Sequence, residues 1–464
     1  MTRRFCCLSG TLYCLFALLL VGCKTLPERQ AGNAGIATPA RWQAGSRVDP
    51  CAVEHWAAAF ADPTLTTLIH AALNHNFDLQ AAAARVNAAR ETAVIAGAGR
   101  LPQLSFVPGY QRSRVRDGGF AATESGAFEA LFNVSWEIDL WGRIRSLQQA
   151  AQQEADAVAA DFYGARLSLA ARTAQSYFEL IEANLQIQVA EQSVKDRRAI
   201  VELVRGRFNR GLTRGLDLRL VLTDLANAEA GLADARNQLQ LITRRLEVLL
   251  GGYPHGTLTQ TKQLPAPPAS LAAGLPSQLM TRRPDLNAAI RRLRSADAGL
   301  NSAQMALLPR ITLTANGGTA SSALADIIDP RAAIWNLTMG LVQPIFRGGQ
   351  LQADIRLNKA LVDEALNSYR GAALNAFREV EQALAAEQWL RIREQALREA
   401  VAQTEASRKL AVYSYGQGLI EILTLLDSYR STLETQSAHL AVRRQLLNNR
   451  INLYLALGGD VVAD

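Results

Sequence analysis

The chain has 464 residues, 49% of them hydrophobic but only 6% aromatic, and a formal net charge of +7. The charge is spread as mixed Arg and Asp/Glu with no basic patch interleaved with aromatics, which excludes a nucleic-acid binder. The five histidines (His55, His70, His75, His255, His439) lack ligand spacing, and there is no nucleophile elbow, phosphate loop or cysteine cluster, so no catalytic residues, metal ligands or cofactor are expected.

Residues 1–22 read as a signal peptide, with Arg3 and Arg4 ahead of an apolar run from Leu8 to Leu20 that is too short for a membrane span. The segment ends Leu20-Val21-Gly22-Cys23, the bacterial lipobox pattern, so Cys23 is the expected lipidation site. Lys24 follows where an aspartate commonly retains such proteins in the inner membrane, which favours the outer membrane. Cys6, Cys7 and Cys14 leave with the signal. Cys51 then has no thiol to pair with, and a loop or packed contact is its expected place. Residues 23–55 form a polar tether carrying scattered Gly and Pro.

A first structural repeat is expected over residues 56–252. Asp62-Pro63 has the form of an N-cap with proline at the first helical position, ahead of the stripe Leu65, Leu68, Ile69, Ala72 and Leu73. A second helix follows from about Asp78 to Arg100. Leu104, Phe106 and Tyr110 mark one strand, and Phe132 to Leu140 a second, with Phe132, Val134, Trp136, Ile138 and Leu140 on one face. Arg112 to Ala127 between them reads as an exposed loop. From Arg143 to about Phe208 there is no proline, and the spacing predicts one helix of roughly 100 Å. The chain breaks near Gly211 and Gly215 and returns as a helix from about Leu216 to Leu250, closed by Gly251-Gly252.

Residues 253–276 carry five prolines and read as a linker. The pattern then repeats over residues 277–464 with an offset of 207: Asp78-Leu79 becomes Asp285-Leu286, Leu101-Pro102 becomes Leu308-Pro309, Gly211-Leu212 becomes Gly418-Leu419, and Gly251-Gly252 becomes Gly458-Gly459. Two further strands fall at Ile311–Asn316 and Trp335–Leu341, separated by a loop from Gly317 to Ala333. Two further long helices are expected from about Gln350 to Tyr415 and from about Ile420 to Leu457. Arg282-Arg283-Pro284-Asp285 reads as helix capping.

Four strands of about 8–11 residues suit a tilted membrane barrel. Four cannot close one, and open edges are not tolerated in lipid, so several copies must share a barrel. Two copies would give a filled interior, three a water-filled lumen. The rival is a lipid-anchored periplasmic coiled-coil scaffold with two small soluble sheets.

The ordered motifs Asp62-Pro63-Thr64-Leu65, Ile138-Asp139-Leu140-Trp141-Gly142-Arg143, Arg207-Phe208 with Gly211, Leu249-Leu250-Gly251, Arg282-Arg283-Pro284-Asp285-Leu286, Gln343-Pro344-Ile345-Phe346, Tyr415 with Gly418, and Ala456-Leu457-Gly458-Gly459 span nearly the whole mature chain. It resembles the TolC-like outer membrane factor family, in the NodT-like lipoprotein branch of RND-type efflux systems. The resemblance implies a mainly α fold with a small β part. Duplicated antiparallel helical hairpins would form a periplasmic α-barrel, and four strands per chain would contribute to a trimeric 12-stranded outer-membrane β-barrel. It implies a homotrimer seated in outer-membrane lipid, with a periplasmic adaptor and an inner-membrane RND transporter as partners, and no nucleic acid. It also implies a passive conduit for efflux; a type I secretion conduit of the same family stays open, though the lipobox favours efflux. Gating is expected at Asn209–Asp217 and Gly416–Leu423, where Gly211, Leu212, Gly418 and Leu419 would meet the adaptor. The family's acidic position two residues after the turn glycine is Ile420 here, and the acid is Glu421. Glu421 is therefore the candidate aperture residue, with Asp427, Asp217, Arg210 and Arg214 as possible partners.

Overall fold

The strand-to-helix junction shows how local chemistry builds this chain. In the computed structural model, strand β2 (Ala122–Ile138) gives way to helix α3 (Arg143–Asn209) over four residues. Asp139 accepts the backbone N–H groups of Ile144 at 3.0 Å and Arg145 at 2.6 Å, satisfying donors that the helix start leaves unpaired. Trp141 donates its indole N–H to the Pro309 carbonyl at 2.8 Å, and Arg143 pairs with Glu137 at 2.9 Å. Gly142 takes φ 77°, open to glycine at no steric cost.

The structure describes residues 39–44, 56–116, 122–258, 263–268 and 276–459. The expected signal segment, Cys23, Cys51 and residues 460–464 lie outside the described residues. The remaining elements are α1 (Pro63–His75), α2 (Phe77–Ala98), β1 (Gln103–Arg116), α4 (Gly215–Leu249), α5 (Pro276–Arg282), α6 (Pro284–Met305), β3 (Arg310–Ser321), β4 (Ala333–Val342), α7 (Gln350–Gly416) and α8 (Ile422–Ala456), with 3₁₀ turns at Trp56–Phe60, Leu324–Ile328 and Pro330–Ala332. The fold is mainly α with a small β part. The duplication is visible at the ends of the helices. Adding 207 to both ends of α2, α3 and α4 gives both ends of α6, α7 and α8. Helices α3 and α7 have 67 residues each, α4 and α8 have 35 each.

The chain divides into two compact units. One holds Ala89–Ala155 and Ile290–Asn367 and contains the sheet, an antiparallel meander in the order β1-β2-β3-β4. Its register aligns Phe106 with Phe132, Phe132 with Gly317, and Gly317 with Trp335. Period-two alternation then gathers Leu104, Phe106, Tyr110, Phe132, Val134, Leu313, Leu337, Met339 and Leu341 on one face. Trp335 on that face is 81% exposed, so the apolar face is unpartnered among the described residues. The strands are longer than the sequence reading expects, at 14 and 17 residues for β1 and β2, and the loop expected over Arg112–Ala127 is largely paired strand. Polar cross-strand pairs extend the ladder there: Arg112 meets Glu124 at 2.7 Å, and Ser113 meets Ser125 at 2.8 Å. Likewise β3 runs to Ser321, beyond the expected end at Asn316, as Thr319 pairs with Ala333.

The second unit holds Gly35–Ala88, Asp156–Ala289 and Ser368–Asp464. Asp62 caps α1 through the Thr64 N–H at 2.9 Å and also accepts the Tyr177 hydroxyl at 2.7 Å; burial, and then this carboxylate, push the Tyr177 phenol up. Tyr177 joins Trp56, Phe60, Phe178 and Tyr454 in an aromatic core. Asn76 donates to the Leu249 carbonyl at 3.1 Å, and its repeat partner Arg283 donates to the matching Ala456 carbonyl at 3.0 Å. Arg283 thus belongs to helix capping, with Asp285 and Glu379 neutralising it. Ahead of Trp56, buried Trp42 packs on Phe377, and the N–H groups of Gln43 and Ala44 bind the Glu381 carboxylate at 2.8 and 2.9 Å.

Among the described residues, no helix is long and apolar enough to cross a membrane.

Candidate functional site

The two hairpin turns share one backbone frame. Gly211 and Gly418 take φ 71° and 79°. Leu212 N–H reaches back to the Arg207 carbonyl at 2.9 Å, and Leu419 N–H to the Ser414 carbonyl at 2.9 Å. The glycine N–H groups bind Phe208 O and Tyr415 O at 2.9 and 3.0 Å, completing a Schellman closure in each turn. This leaves Leu212 and Leu419 projecting, 60% and 72% exposed.

Beneath the turns, Ile200, Val201, Val204, Val221, Tyr415, Ile422, Leu425 and Tyr429 form one buried cluster. Each fully buried aliphatic residue there contributes about 1.5–3 kcal/mol. The two turns are therefore held on a packed base rather than left as loose loops.

The helices that leave the turns start differently. Arg214 is the N-cap of α4, and its N–H donates to Asp217 Oδ2 at 3.2 Å; the same oxygen accepts the Thr213 hydroxyl at 2.5 Å. Asp217 is thereby occupied as a cap. Glu421, the repeat partner of Arg214, is the N-cap of α8 and makes no side-chain capping bond. Its side chain is exposed and has no hydrogen-bond or ion-pair partner among the described residues. The residue stands at the positive end of the helix dipole. Asp427 pairs with Arg430 one turn on, while Arg210 and Arg214 are exposed with no acidic partner among the described residues. The structure therefore gathers Thr213, Arg214 and Asp217 into one cap but joins neither them nor Asp427 to Glu421.

Several polar residues near the turns are not evident from sequence. Arg207 donates to the carbonyls of Tyr415 and Gly416 at 3.4 and 3.1 Å and lies 5.3 Å from the centre of the Tyr415 ring. It thus binds the last carbonyls of α7, where a cation complements the helix dipole. Farther from the turns, Asp196 pairs with Arg408 and Arg197 with Asp224, each at 2.6 Å. Arg408 lies 5.3 Å from the Tyr429 ring centre. Burial, and then Asp196, push the Tyr429 phenol up. The available signal was Asp196-Arg197 interrupting the apolar positions Val194, Ile200, Val201 and Val204. Among the described residues there is no cluster of three or more His, Cys, Asp or Glu arranged to hold a metal.

The family model described as "Outer membrane efflux protein" matches residues 68–252 and again 275–459, so the two matches carry the same 207-residue offset. The pyoverdine export outer membrane protein OpmQ of Pseudomonas putida is 34% identical, with 97% of each chain covered. Among solved structures, the outer-membrane channel OprN superposes with a TM-score of 0.86 at 26% identity, covering 94% of this chain and 99% of that one. The open state of the Neisseria gonorrhoeae MtrE outer membrane channel gives 0.80 at 27% identity, covering 95% of this chain and all (100%) of that one. The duplicated hairpins, the four-stranded sheet and these likenesses agree: the chain belongs to the outer membrane efflux protein family and is an outer-membrane efflux channel.

Proposed function

We infer that three copies of this chain close one twelve-stranded barrel in the outer membrane and continue as a helical tunnel in the periplasm. The observation that carries this is the open sheet: among the described residues β1 and β4 have unpaired edges, and one face is continuously apolar. An open edge is not tolerated in lipid, so neighbouring copies must supply the missing pairs. Three copies give twelve strands and a lumen, whereas two would give a filled barrel. Cys23 anchors each N-terminus by its lipid. The chain performs no chemistry; it passes substrate delivered by an inner-membrane RND transporter through a periplasmic adaptor. The adaptor meets the turns at Gly211, Leu212, Gly418 and Leu419.

The aperture is set by Glu421. Its carboxylate is exposed and left free by the cap of α8, whereas Asp217 and Asp427 are already engaged. Three-fold repetition makes a ring of three carboxylates from one such residue. Single-channel conductance of the purified protein in a planar bilayer tests this. Wild type is expected to conduct weakly and Glu421→Ala to conduct several-fold more. Equal low conductance in both would move the gate elsewhere. A monomer that neither inserts nor conducts would replace the barrel with a periplasmic scaffold.

A further inference from the structure

The internal duplication provides a control for finding functional residues, because matching positions share a backbone. Surfaces that the scaffold requires should be filled alike in both halves. One surface is not. A cleft of about 710 Å³ lies against α7 and α8, lined by Arg391, Glu394, Arg398, His439, Arg443 and, on its third side, Pro265 to Pro267. Its volume is within the roughly 300–1,000 Å³ of small-molecule sites.

In the first repeat the corresponding positions are Asn184, Ile187, Glu191, Leu232 and Arg236. Arg236 is closed there by Glu191 at 2.9 Å. In the second repeat the residue in the place of Glu191 is Arg398, so Arg443 loses its acid. Arg443 instead donates to the Leu264 carbonyl at 2.7 Å and has no acidic partner among the described residues. The apolar pair Ile187 and Leu232 is replaced by Glu394 and His439, which face each other at 3.0 Å. Glu394 also takes Arg398. Arg391 shares Glu387 with Arg450, which is 1% exposed. Two carboxylates therefore serve three guanidinium groups and one histidine, and the fourth guanidinium, of Arg443, is left without an acid among the described residues. Helix packing alone does not require this set, since the first repeat builds the same hairpin without it.

We propose that this cleft is a binding site for a small organic anion carrying carboxylates, with Arg443 as its principal contact. The planar fork of an arginine matches a carboxylate in two parallel hydrogen bonds, and the excess of guanidinium over carboxylate supplies the attraction. Arg391 and Arg398 add charge at the wall, and His439 holds Glu394 aside from Arg443.

Citrate, titrated calorimetrically into the full-length purified protein at constant ionic strength, is the probe. Saturable binding at one site per chain is expected. Arg443→Gln should weaken it by roughly 10-fold or more, the usual worth of a charge-assisted contact. The double variant Glu394→Ile with Arg398→Glu restores the first repeat's residues at those two positions, closes Arg443 with an acid, and should abolish binding while keeping the melting temperature. Arg236→Gln, the matching change in the first repeat, should leave citrate binding unchanged. No saturable binding to wild type, or equal binding by wild type, Arg443→Gln and the double variant, would overturn the proposal. Loss by Arg236→Gln to the same degree as by Arg443→Gln would overturn it too, because the effect would then belong to the scaffold.

Discussion

The glycines that end α3 and α4 do the same backbone work in very different surroundings. Gly211, at the hairpin turn, and Gly251, after α4, take φ 71° and 77° and close a Schellman motif each. Around Gly211 a Cβ would meet nothing within 4 Å, whereas at Gly251 it would run into the backbone carbonyl of His75. The second repeat keeps the contrast: Gly418 has only an arginine tip nearby, at 3.8 Å, but a Cβ on Gly458 would lie 3.1 Å from the Arg282 carbonyl. The exposed hairpin turns are open around their glycines, and the turns that pack against a neighbouring helix end are closed around theirs. Conformation alone selects the first pair; conformation and space select the second.

The largest expected effect breaks this contrast directly. Gly251→Ala should cost several kcal/mol, about 1–2 for the left-handed backbone and more for the backbone clash, whereas Gly211→Ala should cost only about the first amount. Chemical denaturation of the two variants, followed by circular dichroism, measures the difference; equal losses would refute the account. A smaller effect sharpens the comparison between the turns themselves. Asp217→Ala removes the cap of α4 and should destabilise by about 1 kcal/mol, whereas Thr424→Ala, at the matching place in α8, should do little because no cap is drawn from it. Hydrogen exchange at the start of each helix reads this.

The smallest effect concerns pH. Burial pushes the Glu247 carboxyl up, but the N–H groups of Gly256, Thr257 and Leu258, with His255 nearby, outweigh it and hold the group below the ordinary carboxylate range. A depressed folded value means that the stabilisation is fully present above the unfolded pKa of ~4.3 and is lost as pH falls through the lower folded value. Melting temperature should therefore drop more steeply below about pH 4.3 in wild type than in Glu247→Gln. Parallel curves would remove Glu247 from the acid response.

Much of the fold was legible because its signals are local. The N-cap Asp62 with Pro63, the alternation through Phe132 and Trp136, the absence of proline in α3 and α7, and the turn glycines all act within a few residues. Strand ends were misjudged because charged residues such as Arg112 and Glu124 look like loop until their cross-strand pairing is known. The site was legible only in part. Glu421 and the turn glycines stand out in the sequence. Arg207 does not, because its partners Tyr415 and Gly416 lie more than 200 residues away. Asp196 with Arg408 is hidden in the same way. Asp217 looked like a companion of Glu421, but a cap has first claim on a carboxylate three residues into a helix.

The common length of α3 and α7 also bears on how such a chain can change over time. One inserted residue turns everything beyond it by about 100° around the helix axis, and would swing an apolar stripe away from its neighbours. Both helices have 67 residues, and the offset of 207 survives at each end of each pair. Helices α2, α3 and α4 and their counterparts α6, α7 and α8 have therefore diverged by substitution with no net change in length. The sheet was freer: β1 and β3 begin 207 residues apart, yet they end at Arg116 and Ser321, out of step with that offset. Grafted tags and loops should accordingly be tolerated between β1 and β2 or between β3 and β4, and rejected within the long helices.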